Sequence, residues 1–166
     1  MIEIKNSTAI KGFAILLFAM TAVSCKNSLE TEITIDEPSE RVWDIFSDTK
    51  SYETWNPMIL NFTGEMKQDA QIKVKLKLPG ENAMEFTPRI IEFEKGRLLE
   101  WKGVYIAEWI FTGSHRFELE RISDHKTTFK HSEKFSGIAV PFFDFSNTKI
   151  AFENMNKALK NRAEEK

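Results

Sequence analysis

The chain has a single cysteine, Cys25, so no internal disulfide can staple its fold. It has no surplus of one charge: 23 basic and 25 acidic residues leave a net −2, with no basic block. Nucleic-acid binding leans on clustered Lys and Arg, so a nucleic-acid partner is not expected. Beyond the N-terminus no apolar run reaches the length of a membrane span, and no internal transmembrane helix is expected. There is no internal repeat and no low-complexity segment. Neither a Gly-x-Ser-x-Gly elbow nor a glycine-rich phosphate loop occurs, which removes the usual serine-hydrolase and nucleotide readings. Nothing in the sequence asks for a cofactor or a metal.

What the chain does have is aromatic bulk. Fourteen Phe and four Trp stand among 166 residues, 42% of them hydrophobic. That suits one domain burying about two-thirds of its unfolded surface. So many rings imply a wide core, a plain Phe-rich one or one enclosing an apolar cavity.

Residues 1–24 have the layout of an export signal. Lys5 and Lys11 precede an apolar stretch, Gly12 to Val23, too short to span a membrane comfortably. It ends in Ala22-Val23-Ser24-Cys25, which resembles the lipobox of bacterial lipoproteins, where the Cys is diacylated and becomes the new N-terminus. Ala22 stands where that pattern prefers Leu. Ordinary secretion and a buried N-terminal helix with an incidental Cys are the alternatives. The expectation is a lipid-anchored protein of a bacterial envelope, on the periplasmic or surface side, with Cys25 lipidated, residues 25–30 as tether and residues 31–163 as the folded domain.

After a strand at Glu32–Ile35, Glu37-Pro38-Ser39-Glu40 opens a helix, since Pro suits a first turn and acids there complement the dipole. A short second helix runs up to Trp55-Asn56-Pro57, because the residue before Pro avoids helical backbone. Strands are expected at Ile59–Thr63 and at Gln71–Leu78, which alternates apolar residues with Lys73, Lys75 and Lys77. Further strands follow at Met84–Glu94 with a bulge near Pro88, at Arg97–Lys102, from Gly113, and at Thr127–Phe135. Residues 104–111 are ambiguous between a strand continuation and an apolar lip. Phe145, Thr148, Phe152, Met155, Leu159 and Arg162 recur at helical spacing and mark a final helix of roughly 19 residues, about 28 Å long. The fold class is α+β: a curved antiparallel sheet of six to seven strands closed over one long C-terminal helix, with two short helices after the first strand.

From Glu32 to Arg162 the chain resembles the polyketide cyclase/dehydrase-like (SRPBCC) group of the START-like, helix-grip superfamily. The resemblance rests on Val42-Trp43-Asp44, Trp55-Asn56-Pro57, Phe86 with Pro88, Leu99 to Gly103, Gly113 to Phe117, Glu133 to Gly137, and the last helix. It implies a cavity between sheet and helix for a small hydrophobic ligand. It says little about activity, since the fold hosts carriers, receptors and cyclases.

Parity fixes one more feature. Apolar residues of the last two strands must share a face, so paired residues share parity, and a turn near Ser123–Lys126 pairs Leu119 with Phe129, Phe117 with His131, and His115 with Glu133. A His115–Glu133 pair with His131 diagonal to it is expected on the concave face. It can be a satisfied structural pair, a contact to a ligand's polar group, an acid/base pair, or, with His131, a metal site. Trp55, Phe86, Trp101, Trp109, His115, Phe117, His131, Glu133, Phe145, Phe152 and Met155 are the candidate lining residues. His115, Glu133 and His131 are the candidates should the protein be a cyclase- or dehydratase-like enzyme. An interaction module with a filled core is the remaining alternative.

Overall fold

The computed structural model describes residues 26–165, and Cys25 with the signal-like segment lies outside the described residues. Along the chain come β1 (Lys26–Ile35), α1 (Ser39–Ser47), α2 (Tyr52–Trp55), β2 (Ile59–Thr63), β3 (Lys73–Leu76), β4 (Met84–Phe86), β5 (Arg89–Glu94), β6 (Leu98–Val104), β7 (Thr112–Ser123), β8 (Lys126–Ser136) and α3 (Ser146–Glu164). Five strands form one antiparallel sheet in the order β1-β8-β7-β6-β5, and three form a second, β2-β3-β4. A bridge between Gln71 and Arg89, with Ile72 N–H donating to the Pro88 carbonyl at 3.0 Å, joins the two sheets at β5.

The β7–β8 hairpin carries the register that parity predicts: Leu119 opposite Phe129, Phe117 opposite His131, His115 opposite Glu133. Its inner face is buried, as alternation requires. Against that face lies α3, whose stripe of Thr148, Ala151, Phe152, Met155, Leu159 and Ala163 is buried. Phe152, Met155 and Leu159 have no exposed surface, and each such side chain contributes roughly 1.5–3 kcal/mol by leaving water. The helix starts at Ser146, where the Asp144 carboxylate accepts both the Ser146 N–H (2.9 Å) and its hydroxyl (2.7 Å). A negative charge there also complements the helix dipole.

Four expectations need correction. Residues 26–30 are not a tether: β1 begins at Lys26 and pairs with β8 from Ser136 onward. The stripe on α3 ends in Ala163, not Arg162, which is exposed, because a 3.6-residue period carries position 163 back to the core. Met84–Glu94 is not one bulged strand. It breaks at Thr87-Pro88, leaving β4 in the small sheet and β5 in the large one. Gln71–Leu78 shortens to Lys73–Leu76. Residues 105–111 form a loop rather than a strand, and its backbone meets the chain leaving β8 through Ile138 N–H to Trp109 O and Ala139 N–H to Ile110 O, both 3.1 Å.

Asn56, in the Trp55-Asn56-Pro57 stretch, turns the chain into β2. Its side-chain oxygen accepts the N–H groups of Met58 (3.0 Å) and Ile59 (2.8 Å).

Candidate functional site

The middle of α3 packs on the sheet through the buried Phe152, Met155 and Leu159, and space opens between helix and sheet near the helix's N-terminal end. A cavity of about 380 Å³ lies there. Leu76 and Met84 of the small sheet form one wall, with Leu78 just beyond β3 and with Met58. The loop after β6 supplies Tyr105, Ile106 and Phe111, and β8 supplies Glu133 and Phe135. Phe143, Asp144, Phe145 and Thr148, leading into α3, complete it, with Glu81 at its edge. Phe111, Phe135, Phe143 and Phe145 stack on one another, with Phe135 and Phe145 at 4.1 Å between ring centres. A larger surface depression between α1 and the end of α3, about 660 Å³, is lined mainly by charged groups such as Glu40, Arg41 and Glu165.

Glu133 is the buried ionisable group on the wall of β8, 4% exposed. Its position follows from the hairpin: odd residues of β8 face inward, and Glu133 is the inward one nearest the mouth before Phe135. The Tyr105 hydroxyl donates to Glu133 Oε1 at 3.2 Å. Gly113 makes room for the carboxyl, since a Cβ built there would stand 2.3 Å from Glu133 Oε1. Behind it, Glu133 Oε2 stands 3.7 Å from His115 Nδ1, and His115 Nε2 contacts His131 Nε2 at 2.6 Å. His131 Nδ1 meets Asn156 Oδ1 of α3 at 2.9 Å, and the Asn156 amide donates to Thr31 Oγ1 of β1 at 3.0 Å. The line of polar groups therefore runs from the cavity wall through the core to the sheet's edge strand.

One set of proton positions satisfies this line. The Asn156 amide nitrogen is spent on Thr31, so its oxygen accepts a proton from His131 Nδ1. His131 Nε2 is then an acceptor and takes the proton on His115 Nε2. His115 Nδ1 is left bare, 3.7 Å from the Glu133 carboxyl and beyond hydrogen-bond reach of it. The electrostatics agree. Burial pushes Glu133 up to about 8, against the downward pull of the Tyr105 hydroxyl. Burial pushes His131 down to about 3, against the upward pull of Asn156 and of the Phe152 backbone. His115 is driven well below its usual range, first by burial and then by His131. At pH 7 the cluster is neutral, and the 3.7 Å approach of His115 and Glu133 is not an ion pair. Each histidine spends its Nε2 on the other, and among the described residues no group of three His, Cys, Asp or Glu side chains is placed to hold a metal.

Of the eleven candidate lining residues, Glu133 and Phe145 line the cavity. Phe86 stands behind Tyr105, ring centres 5.5 Å apart. His115, Phe117, His131, Phe152, Met155 and Trp101 are core, with Phe152 stacked on His131 at 3.7 Å. Trp55 packs on Tyr52, its indole N–H donating to Ser51 Oγ at 3.1 Å. Trp109 is 66% exposed, on the outside of the loop whose inner side is Tyr105 and Phe111. Sequence reasoning did not single out Tyr105 or Asn156, and placed Thr148 on the helix stripe without making it a lining residue. Asn156 lies one position beyond Met155 on the helical stripe, and that adjacency was its available signal.

The fold and family are shown by comparison. No curated protein matches the sequence significantly. Among solved structures, a Streptomyces aromatase/cyclase superposes with a TM-score of 0.69 at 14% identity, over 84% of this chain and 94% of that one. A START superfamily protein from Mycobacterium smegmatis gives 0.63 at 16% identity, over 82% and 97%. Norcoclaurine synthase from Thalictrum flavum, solved with dopamine and hydroxybenzaldehyde, gives 0.60 at 10% identity, over 84% and 87%. At such identities these neighbours share the fold. The sequence itself matches the family described as polyketide cyclase/dehydrase and lipid transport across residues 26–164, and the chain belongs to that family.

Proposed function

We propose that the domain binds a small hydrophobic molecule, a lipid or an aromatic metabolite, with its polar end against Glu133 and Tyr105. The observation that carries this is a buried carboxyl, hydrogen-bonded by Tyr105, opening onto a mainly apolar cavity. A volume of about 380 Å³ falls at the small end of ligand sites, about 300–1,000 Å³. A protonated carboxyl donates a hydrogen bond, so the polar end it recognises is an acceptor such as a carbonyl or ester oxygen. The family description couples cyclase and dehydrase activity with lipid transport, and the norcoclaurine synthase neighbour holds aromatic ligands. Both kinds of ligand are compatible with these walls.

The histidines behind Glu133 favour a second reading, a cyclase- or dehydratase-like enzyme. An acid held near pH 8 with a proton acceptor behind it can deliver and recover a proton at a bound carbonyl. Glu133→Gln separates the two. It keeps a donor at the cavity wall, so a carrier retains affinity while an enzyme loses turnover.

The binding reading is tested by native mass spectrometry of the protein purified from its own host. The expected spectrum shows a co-purified small molecule whose occupancy falls in Thr148→Phe, which fills the cavity from α3. An identical, adduct-free spectrum for both proteins, with no uptake of a hydrophobic dye by either, overturns it.

A further inference from the structure

We propose that the cavity-mouth end of the domain is a docking surface for a lipid bilayer. Ten large apolar side chains are exposed among the described residues, and six of them crowd into two loops. These are Val104 at the end of β6 with Ile106 and Trp109 of the loop it leads into, and Ile138, Phe142 and Phe143 after β8. Phe142 is 86% exposed and Trp109 66%. Such a concentration is a patch, not the ordinary scatter of surface hydrophobes. The same two loops supply Tyr105, Ile106, Phe111, Phe143 and Phe145 to the cavity, so the patch surrounds its mouth. The loops are tied to each other by the two backbone hydrogen bonds from Ile138 and Ala139, so the patch is presented as one unit.

The occupant follows from where the chain enters. Strand register aligns Val104 with Thr112, Thr112 with Ser136, and Ser136 with Lys26. The start of β1 is therefore at the mouth end, level with the roots of both loops. The residue before Lys26 is Cys25, and the apolar stretch Gly12–Val23 lies just upstream. Whether hydrocarbon enters through a diacylated Cys25 or through that stretch, it enters here. One residue reaches only about 3.5 Å, so an anchor at Cys25 holds this end of the domain against the bilayer. The opposite end, the Ser123–Lys126 turn, is flanked by the charged Arg121, Asp124 and Lys126. Near the mouth, Lys102 pairs with Glu108 at 3.4 Å, and Lys26 and Lys134 stand on neighbouring strands at the same end. Attachment runs through the exposed Trp109, Phe142 and Phe143, side chains suited to the membrane interface, and holds on neutral lipid. Docked this way, the cavity opens toward the bilayer, which deepens the ligand-binding reading by naming the phase from which the ligand is drawn.

The full-length protein, reconstituted in phosphatidylcholine vesicles with and without brominated acyl chains, tests this by tryptophan quenching. Trp43 and Trp101 are core residues and Trp55 is half-buried, so Trp109 is the one set to report. Bromine is expected to quench the wild-type emission, with no change when salt is raised. The quenching is lost in Trp109→Phe and weakened in Ile106→Ser/Phe142→Ser, although the N-terminal anchor is intact in both. Three results overturn the proposal: no quenching, quenching unaffected by Trp109→Phe, or sedimentation showing that a second copy or the chain's own N-terminal segment covers the patch. Absence of quenching while a small molecule still co-purifies would sink the docking surface and leave the binding reading standing. Quenching with an empty cavity would do the reverse.

Discussion

Glu133 and the two histidines pull stability in opposite directions as pH changes. A folded-state pKa raised to about 8 means the native protein holds a proton that the unfolded chain releases near 4.5. Stability from this group is full below about 4.5 and is lost as pH rises through about 8. The histidines are depressed, His131 to about 3. They are neutral in the native state but charge in the unfolded chain below 6.5, so their contribution is full above that value and lost as pH falls toward 3. The cluster therefore favours the fold most near the histidines' ordinary range, with decline on both sides. Denaturant titrations from pH 5 to 9 should show the alkaline decline in the wild type. They should show it flattened in Glu133→Gln, which has no proton to lose. Part of this was legible in the sequence: the parity of two strands puts His115 across from Glu133. The 2.6 Å contact between the rings of His115 and His131 was not, since a strand pattern gives the face but not the direction of a ring. Tyr105 was out of reach because its position depends on how a loop folds back.

At the scale of elements, α3 was the most legible part of the chain and the β4–β5 segment the least. Apolar spacing along α3 names Thr148, Phe152, Met155 and Leu159 of the buried face, but passes over the small Ala151, the polar Asn156, and Ala163, which takes the position given to Arg162. Replacing Phe152 by Ala should destabilise by about 3–5 kcal/mol, since it leaves a cavity against His131 and His115. Arg162→Ala should stay within about 0.5 kcal/mol, because Arg162 reaches only the exposed Glu165 at 3.1 Å. Midpoints of chemical denaturation decide between these, and a large loss at Arg162 would mean that its stem packs on the core face of the helix. In β4–β5 the parity slip around Pro88 has two physical solutions, a bulge within one strand or a break between two. Local pattern cannot choose between them. The choice is made by β3, which pairs with β4 while β6 takes β5.

The molecule as a whole is closed where two loops distant in sequence meet, and Gly137 is the point of contact. Its φ of +129° suits glycine, and a Cβ there would stand 2.2 Å from the Ile110 carbonyl oxygen. No side chain can be added without separating the loop after β6 from the loop after β8. The core lies elsewhere, around Phe46, Phe117, Phe129 and α3, and does not include Gly137. Gly137→Ala should therefore lower global stability by only about 1–3 kcal/mol, the scale of a strained backbone position. Its larger effect should be on the mouth. Hydrogen exchange should rise across residues 105–111 and 138–143 while the β7–β8 hairpin stays protected, and retention of a bound hydrophobic molecule should fall. The cavity depends on this long-range meeting, which explains why composition could suggest an apolar space but not place it. If exchange in both loops were unchanged in Gly137→Ala, the mouth would not be held by this contact, and the cavity's closure would have to come from the stacked Phe111, Phe135 and Phe145 rings alone.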